Sequence, residues 1–402
     1  MGKILLYLSS FFLVFENTAL SAIGGAFTAP LAISLFPAVT LYLLFNFYSI
    51  DIVGKRIIYF IFGVLFFSLA YLFIFADSLY FGFLLDRGLR LFLINLASFV
   101  FLVFFLTFDY AELKVASKIS GILIVMVFFI NLVAPDIVNN PSFLQGSAAF
   151  SPDRMRGFTL EASTFGFQVV TAVMLLAIVF SVNYLLSIVV VVSFLLFTSS
   201  KGALLAFCLS VVISKFVLAK SGFNKITFLI VGFLAFSFGF YYVLLDAFIL
   251  DIEKYNSSST RGVMIFTGIY SALVSPFGVG FTGYFNQIYQ LGPDVINFVD
   301  YYFPNLFNFD EVVTYFIVGN VESVSTKTLF FDWLIYAGWV FLYLFYKFLS
   351  FCFSKIKGAG GKNLSLFIFM IISWCFYVPL DGRIIGLLAI ATLIKFNRER
   401  GA

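Results

Sequence analysis

Long apolar segments recur from one end of the chain to the other, and most charged residues lie in the gaps between them. A helix needs about 20 mostly apolar residues to cross the hydrocarbon core of a bilayer. The charged stretch 79–90 is expected to lie along the membrane surface. We therefore expect an all-α, polytopic membrane protein whose residues 1–402 form a single transmembrane domain. The pattern predicts twelve spanning helices, at about 4–22, 29–50, 57–76, 91–108, 119–134, 164–181, 183–198, 202–219, 226–246, 328–350, 364–380 and 384–396.

Two segments between the predicted spans are much longer than the others, 135–163 and 247–327. Loops longer than about 12–15 residues are uncommon unless they are functional. The second segment is rich in tyrosine and phenylalanine, whose rings either stack on sugar rings or anchor a loop at the membrane interface. We expect both segments to be loops on the outer, periplasmic side, the second of them before the tenth helix.

The composition excludes several classes of chemistry. Hydrophobic residues make up 62% of the chain and charged residues 11%, against about 25% charged residues in soluble proteins. The net charge of only +4 gives no reason to expect a nucleic-acid partner. The chain has no histidine, so an imidazole base or metal ligand is excluded. Neither the spacing of the three cysteines nor that of the carboxylates suits a metal site, and we expect no metal and no cofactor.

The distribution of basic residues predicts how the chain is oriented, because cytoplasmic loops carry an excess of lysine and arginine. With a cytoplasmic N-terminus and strict alternation, 15 basic residues fall on the cytoplasmic side and 9 on the outer side. This split predicts that both termini are cytoplasmic. Six of the nine outer cations are arginines, whose rigid fork of donors suits phosphate, although arginines also pair with carboxylates or extend to lipid headgroups.

The end of the first long loop combines Arg154, Arg156 and Glu161 within eight residues. A carboxylate at the mouth of a membrane span is costly unless it is paired or used. Two interpretations are open. Glu161 takes part in catalysis, or it forms a structural ion pair with an arginine that caps the following helix.

This segment, with the pattern R-x-x-G-F-x-x-E-x-S from Arg154, resembles a motif of the Wzy-type family of bacterial polysaccharide polymerases and O-antigen ligases. Three further segments resemble the family in the same order: S-S-K-G around Lys201, S-T-R-G around Arg261 and P-x-G-x-G from Pro276. The resemblance covers about residues 120–345. Ala162 stands where the family commonly has proline.

The resemblance implies a metal-independent glycosyltransferase with a C-type membrane glycosyltransferase fold in the bacterial inner membrane. Such an enzyme would transfer a glycan from undecaprenyl diphosphate to a sugar hydroxyl on the periplasmic face, in the biosynthesis of capsule polysaccharide or of the O-antigen of lipopolysaccharide. Its expected partners are undecaprenyl-diphosphate-linked glycans, the lipid bilayer and a chain-length regulator protein.

This chemistry indicates which residues are candidates for the site. The acceptor hydroxyl needs a base, and without histidine the candidates are carboxylates, Glu161 first and Glu322 second. The diphosphate leaving group needs fixed cationic donors. The candidates for that role are Arg154, Arg156, Arg261, Lys201, Arg87, Arg90 and Arg383.

One departure from the family bears on the reaction. O-antigen ligases carry a His-Asn pair just before the span that follows the long loop, where this chain has Lys327 and Thr328. The missing histidine favours a polymerase that joins repeat units. The alternatives are ligase-type transfer of the glycan to another acceptor, and transport by a lipid-linked oligosaccharide flippase.

Overall fold

The structure is a computed structural model, and it describes residues 1–16, 18–20, 30–75, 80–139, 155–222, 226, 257–304, 307–320, 324–378 and 384–400. Within these ranges the chain is all-helical and contains no strand. The α-helices of the described ranges are α1 (Gly2–Phe12), α2 (Phe36–Phe45), α3 (Ile52–Phe75), α4 (Phe81–Leu106), α5 (Tyr110–Val133), α6 (Pro135–Asn139), α7 (Ala162–Val179), α8 (Tyr184–Thr198), α9 (Lys201–Leu218), α10 (Ser257–Val274), α11 (Gly280–Tyr302), α12 (Asp310–Tyr315), α13 (Leu329–Ile356), α14 (Gly361–Phe376) and α15 (Ile384–Arg400).

Among the described residues, 6 helices are long and apolar enough to cross a membrane: α3, α4, α5, α7, α9 and α13. Shorter apolar helices lie at α1, α2, α8, α14 and α15. Each of these helices coincides with one of the predicted spans, although α1 ends well before residue 22. The ninth predicted span, 226–246, lies outside the described residues apart from its first residue. The chain is therefore an all-α membrane protein, as its apolar pattern predicts.

The outer surface of the helix bundle carries large apolar side chains. Phe45 is 82% exposed, Phe66 78% and Phe73 76%. Soluble monomers rarely expose contiguous apolar patches larger than a few hundred Å². In a bilayer the solvent is hydrocarbon, so such side chains face outwards without cost, provided that the backbone satisfies its own hydrogen bonds in helices.

The charged stretch 79–90 does not form a separate surface segment. Its residues from Phe81 onwards belong to α4, which runs without a break to Leu106. Asp86 and Arg90 lie one turn apart on this helix and form an ion pair of 3.1 Å. The charged turn extends the span instead of ending it, because a continuous helix keeps its backbone groups bonded while the charges pair on an exposed face.

The long segment 247–327 contains helices where the sequence predicts a loop. Its described part includes α10, α11 and α12. Helix α11 packs against α3 and α4 with one face, which is why its sequence shows an amphipathic pattern and no continuous apolar run. Pro293 within α11 further obscures the helix in the sequence.

Helix α13 is broken at Gly338, and the P-x-G-x-G motif that begins at Pro276 packs against this break. Gly338 has a φ of +53°, and a Cβ there would lie 2.1 Å from the carbonyl oxygen of Pro276. That same carbonyl accepts a hydrogen bond of 2.8 Å from the backbone N–H of Trp339. On the other side of the break, the carbonyl of Ile335 accepts one of 3.0 Å from Val279. The motif therefore satisfies the backbone groups that the break exposes, which membrane burial requires.

Contacts between helix ends identify the two membrane faces of the bundle. At one face Lys3 pairs with Glu112 at 2.9 Å, and the ammonium of Lys362 donates to the backbone carbonyls of Ala177 and Val182. The distribution of basic residues predicts that these segments are cytoplasmic. The first residues of α7, α10 and α13 come together at the opposite face.

Candidate functional site

The loop before α7 is folded back onto the end of α5. The side-chain oxygen of Asn131 accepts hydrogen bonds from the backbone N–H groups of Arg156 at 3.2 Å and Gly157 at 3.0 Å. Gly157 has a φ of +54°, and a Cβ there would lie 2.4 Å from the ring of Phe165. The glycine of the R-x-x-G-F pattern is thus required by a left-handed turn that packs tightly against α7.

Arg156 is buried within the protein, with only 1% of the residue accessible. Burial lowers the pKa of its guanidinium from the ordinary value. Its carbonyl oxygen accepts a hydrogen bond of 2.8 Å from the hydroxyl of Thr159, which fixes the turn from within. Arg154, the other arginine of the motif, lies outside the described residues.

Glu161 stands directly before α7, at the N-cap position with an extended backbone. Its side chain is exposed and accepts a hydrogen bond of 3.1 Å from the hydroxyl of Ser163. The carboxylate makes no capping hydrogen bond to the backbone of α7. An exposed carboxylate at this position is accessible to a ligand.

Arg261 lies near the start of α10, between two residues that pack against the segment after α11. The hydroxyl oxygen of Ser259 accepts a hydrogen bond of 3.1 Å from the backbone N–H of Asn308. The ring of Phe307 packs against Gly262, where a Cβ would lie only 2.8 Å away. The serine and the glycine of the S-T-R-G motif thus hold this helix end in place, and the half-buried Arg261 lies between them.

Tyr315, the last residue of α12, lies among several charged groups. It is 3% exposed, and its hydroxyl donates a hydrogen bond of 2.6 Å to Glu311. Burial raises the pKa of this phenol well above its ordinary value. The hydrogen bond to Glu311 and the charges of Glu311 and Glu161 raise it further, whereas the charge of Arg261 lowers it. Because a Coulomb interaction weakens with distance, these contributions place Glu161 and Arg261 among the charged groups around this phenol.

Lys327 adds a second cation to this group. Its ammonium nitrogen lies 5.2 Å from the ring centroid of Tyr315, within the range of a cation–π interaction. Its φ of +59° is uncommon for a residue with a Cβ. The adjoining loop is anchored by Asp332, which accepts hydrogen bonds from the backbone of Thr326 and from the hydroxyl of Tyr284. We refer to Glu161, Arg261, Glu311, Tyr315 and Lys327 as the Tyr315 cluster.

Lys201 begins α9 beside the first turns of α7. The side chain of Ser200 packs directly against Gly166 of α7. Glu161 lies five residues before Gly166, and a helix rises about 1.5 Å per residue, so Lys201 and Glu161 share one end of the bundle. Helices α7, α9, α10 and α13 all begin at this end. Each N-terminus carries roughly half an elementary positive charge, which attracts anions.

Arg87 lies on α4, which packs against α11. Burial raises the pKa of the Tyr289 phenol on α11, and the nearby charge of Arg87 lowers it. The hydroxyl of Tyr289 donates to the carbonyl oxygen of Asn320, in the turn that follows α12. Arg87 therefore neighbours the segment that carries Tyr315, while Arg90 is exposed and bonded to Asp86. Two other candidates, Glu322 and Arg383, lie outside the described residues.

Sequence reasoning did not nominate Glu311 or Tyr315, and it noted Lys327 only as the position that matches the ligase histidine. Glu311 and Asp310 begin the short helix α12, and acidic residues in a first turn are typical of any helix. No local signal in the sequence marks these residues as part of a site, because their role depends on the contacts of α12 with α10 and α11.

The chain is similar over almost its whole length to a protein from Klebsiella pneumoniae described as an "Uncharacterized 49.5 kDa protein in cps region". The two are 34% identical over 406 residues, which cover 98% of this chain and 92% of the relative. The chain belongs to the family of this Klebsiella protein. Since the similarity covers 98% of the chain, it extends across the helices that carry the Tyr315 cluster. No protein-family model and no solved structure matches the chain.

In this member of the Klebsiella protein's family, the Tyr315 cluster combines two kinds of chemical group. The carboxylates of Glu161 and Glu311 can accept a proton from a hydroxyl. Arg261, Lys327 and the neighbouring helix N-termini can stabilise a phosphate-type anion. Within the described ranges, no group of three or more cysteine, aspartate or glutamate residues is placed to hold a metal ion.

Proposed function

We propose that this protein is a polysaccharide polymerase. It is a membrane glycosyltransferase that joins oligosaccharide repeat units carried on undecaprenyl diphosphate at the periplasmic face of the inner membrane. The observation that carries this proposal is the Tyr315 cluster, in which two carboxylates and two cations lie together where several helices begin. Glycosyl transfer from a lipid diphosphate requires both kinds of group.

In the reaction, the bond between the sugar's anomeric carbon and the diphosphate oxygen breaks, and the diphosphate leaves with the electron pair. Fixed cationic donors at the departing oxygens lower the energy of this step. Arg261 and Lys327 would serve there, because both lie beside Tyr315 at the positive ends of α10 and α13. Lys201 and Arg87 would add charge at the margins of the site.

The hydroxyl of the next repeat unit forms the new glycosidic bond and gives up its proton. Glu161 would accept that proton, because it is exposed and stands at the mouth of α7. Glu311 is the second candidate, but its carboxylate already accepts the hydroxyl proton of Tyr315 in a hydrogen bond. Tyr315 would hold Glu311 in place and remain protonated at neutral pH, as its raised pKa requires.

The cps region named for the Klebsiella relative supports a role in capsule polysaccharide synthesis. The motifs that resemble the Wzy-type family support the same class of reaction. The lysine at 327, where ligases of that family carry histidine, favours a polymerase over a ligase.

The flippase alternative needs an ionisable group in a path through the membrane. Glu16 is an intramembrane carboxylate, but it is fully buried. One of its oxygens accepts a hydrogen bond of 3.2 Å from the side chain of Gln168, and the other accepts one of 2.7 Å from the backbone of Ile385. Glu16 thus joins α7 to the first turn of α15, which is a structural role.

The test is incubation of the purified protein in lipid nanodiscs with synthetic undecaprenyl-diphosphate-linked repeat units. The proposal expects a ladder of longer lipid-linked glycans, with one undecaprenyl diphosphate released for each bond formed. A single transfer to another acceptor, without a ladder, would indicate a ligase. Movement of the lipid-linked substrate across proteoliposomes without any lengthening would indicate a flippase, and either result would overturn the proposal.

A further inference from the structure

A second feature lies along α13, the helix that begins directly after Lys327 of the Tyr315 cluster. A partly open cavity of about 620 Å³ is lined by α3, α4, α13, α14 and α15. This volume is within the range of about 300–1,000 Å³ that is typical of ligand-binding pockets. Its walls are almost entirely aliphatic and aromatic, among them Phe60, Phe99, Trp333 and Trp374.

Two cations stand at one end of this cavity. Arg56, in the first turns of α3, and Lys347, in the second half of α13, both line it and are both exposed. No carboxylate lines the cavity, and neither cation forms an ion pair with any residue in the part of the chain that the structure describes. The ammonium of Lys347 lies 5.4 Å from the ring centroid of Tyr343, so its contact is with an aromatic ring and not with an anion.

The part of the cavity beyond the break in α13 is about as long as one leaflet of a bilayer. The lining on α13 includes Leu329 and Trp333 before the break at Gly338, and it runs from Phe341 to Phe351 beyond it. Phe341 and Phe351 are ten positions apart, or about 15 Å at a rise of 1.5 Å per residue. The hydrocarbon core of a bilayer is about 30 Å thick, so each leaflet contributes about 15 Å of chain. The cavity is therefore deep enough to take a lipid chain from its cationic end.

We infer that the cavity is a binding site for an anionic phospholipid, taken from the leaflet next to Arg56 and Lys347. One acyl chain lies among the aromatic walls, and the headgroup phosphate sits between the two cations. The charges select an anionic headgroup, because a guanidinium and an ammonium without carboxylate partners favour a phosphate that carries a net negative charge. The charge pattern of the sequence assigns both residues to the cytoplasmic side, so the lipid comes from the leaflet opposite the Tyr315 cluster.

Such a lipid would connect α3 to the second half of α13, beyond the break at Gly338. Anything that binds the folded protein and not the unfolded chain stabilises the fold in proportion to its affinity and concentration. The site therefore predicts that the thermal stability of the protein depends on the headgroup charge of the added lipid. This inference does not depend on the proposed polymerase activity.

The test uses the full-length protein in detergent, with phosphatidylglycerol as the probe and phosphatidylcholine of the same acyl chains as the uncharged control. Binding is measured by native mass spectrometry and by the shift in melting temperature. We expect phosphatidylglycerol to bind and to raise the melting temperature more than phosphatidylcholine does. Arg56→Gln and Lys347→Gln should each weaken phosphatidylglycerol binding about fivefold, as expected for one cation near a membrane surface.

Lys114→Gln is the matched control, because it removes a cation from the same predicted face without touching the cavity. It should leave binding unchanged. Leu344→Trp narrows the cavity without changing any charge and should reduce binding of both lipids. Equal binding of the two lipids by the unaltered protein, or full binding by the Arg56 and Lys347 variants, would overturn the inference. So would displacement of phosphatidylglycerol by a lower concentration of undecaprenyl phosphate, since the cavity would then belong to the lipid carrier.

Discussion

The hydroxyl of Tyr315 donates a hydrogen bond of 2.6 Å to the carboxylate of Glu311, one turn earlier on the same short helix. Tyr315 is buried, and the charges of Glu161 and Arg261 reach its phenol from two other helices. The phenol thus stays protonated at neutral pH, and it lies among charged groups that are distant from one another in sequence. The proposed chemistry depends on which of these groups takes a proton and which stabilises an anion.

Glu161→Gln should abolish repeat-unit joining while the protein still folds. Glutamine keeps an oxygen that can accept the hydrogen bond from Ser163, but it cannot take a proton. Loss of a general base costs about 10² to 10⁴ in rate. Because Glu161 is exposed, its substitution should change the free energy of unfolding by no more than about 0.5 kcal/mol. Gel analysis of chain length and a melting curve measure the two quantities.

Glu311→Gln is the comparison for this variant, since it keeps an acceptor for the hydroxyl of Tyr315. It should retain most of the activity if Glu161 is the base. An inactive Glu311→Gln beside an active Glu161→Gln would transfer the role to Glu311. A Glu161→Gln variant that melts at a lower temperature, with full activity in the folded fraction, would instead support the structural ion pair.

Arg261→Ala should lower the rate by about 10² to 10³, as expected for the loss of one donor to a developing negative charge. Arg261→Lys should be intermediate, because lysine restores the charge but not the planar fork. Arg398→Lys repeats the same substitution near the C-terminus and should leave the rate unchanged. If Arg261→Lys were fully active, Arg261 would act only through its charge or not at all.

Asn131→Leu should destabilise the protein and reduce its activity together. The asparagine oxygen accepts two backbone hydrogen bonds, from Arg156 and Gly157, and leucine would leave both buried N–H groups unsatisfied. Each such group costs about 1–3 kcal/mol. Asn131→Asp keeps the acceptor oxygen and should retain more activity than Asn131→Leu. Similar melting temperatures for the two variants would show that these hydrogen bonds do not hold the loop.

Gly338→Ala should prevent stable folding. The added Cβ would meet the carbonyl of Pro276 at 2.1 Å, and the φ of +53° is strained for any other residue. Gly63→Ala makes the same change in the middle of α3, where the new Cβ would meet no atom within 4 Å apart from the neighbouring backbone of its own helix. It should fold normally, and size-exclusion chromatography after mild heating compares the two. Equal recovery would show that α13 can close its break.

The topology can be tested by cysteine labelling in a background from which the three native cysteines have been removed. A cysteine at the exposed Gln290 should react with a membrane-impermeant reagent from the periplasmic side only. A cysteine at the exposed Lys357 should react only after the cytoplasmic side is opened. Reaction of either position from the other side would contradict the predicted orientation, and reaction of both from the same side would contradict the alternation of the spans.

The amino-acid sequence by itself determines the fold class and the positions of most apolar helices. A run of about 20 apolar residues in a bilayer must satisfy its own backbone hydrogen bonds, and a helix does so with local contacts alone. The sequence also marks Glu161 and Arg261 as charged residues at the ends of helices, because isolated charges beside apolar runs are conspicuous.

Tertiary structure alone decided which helix ends meet. The sequence gives no sign that Glu311 and Tyr315 lie near Glu161, since they belong to a short helix inside a segment predicted to be a loop. Nor does it distinguish the buried Arg156 from the half-buried Arg261. The spacing of charges along a chain reports on neighbours within a few residues. The proximity of Glu161, Arg261 and Tyr315 depends on side-chain packing between helices far apart in sequence, which no local pattern encodes.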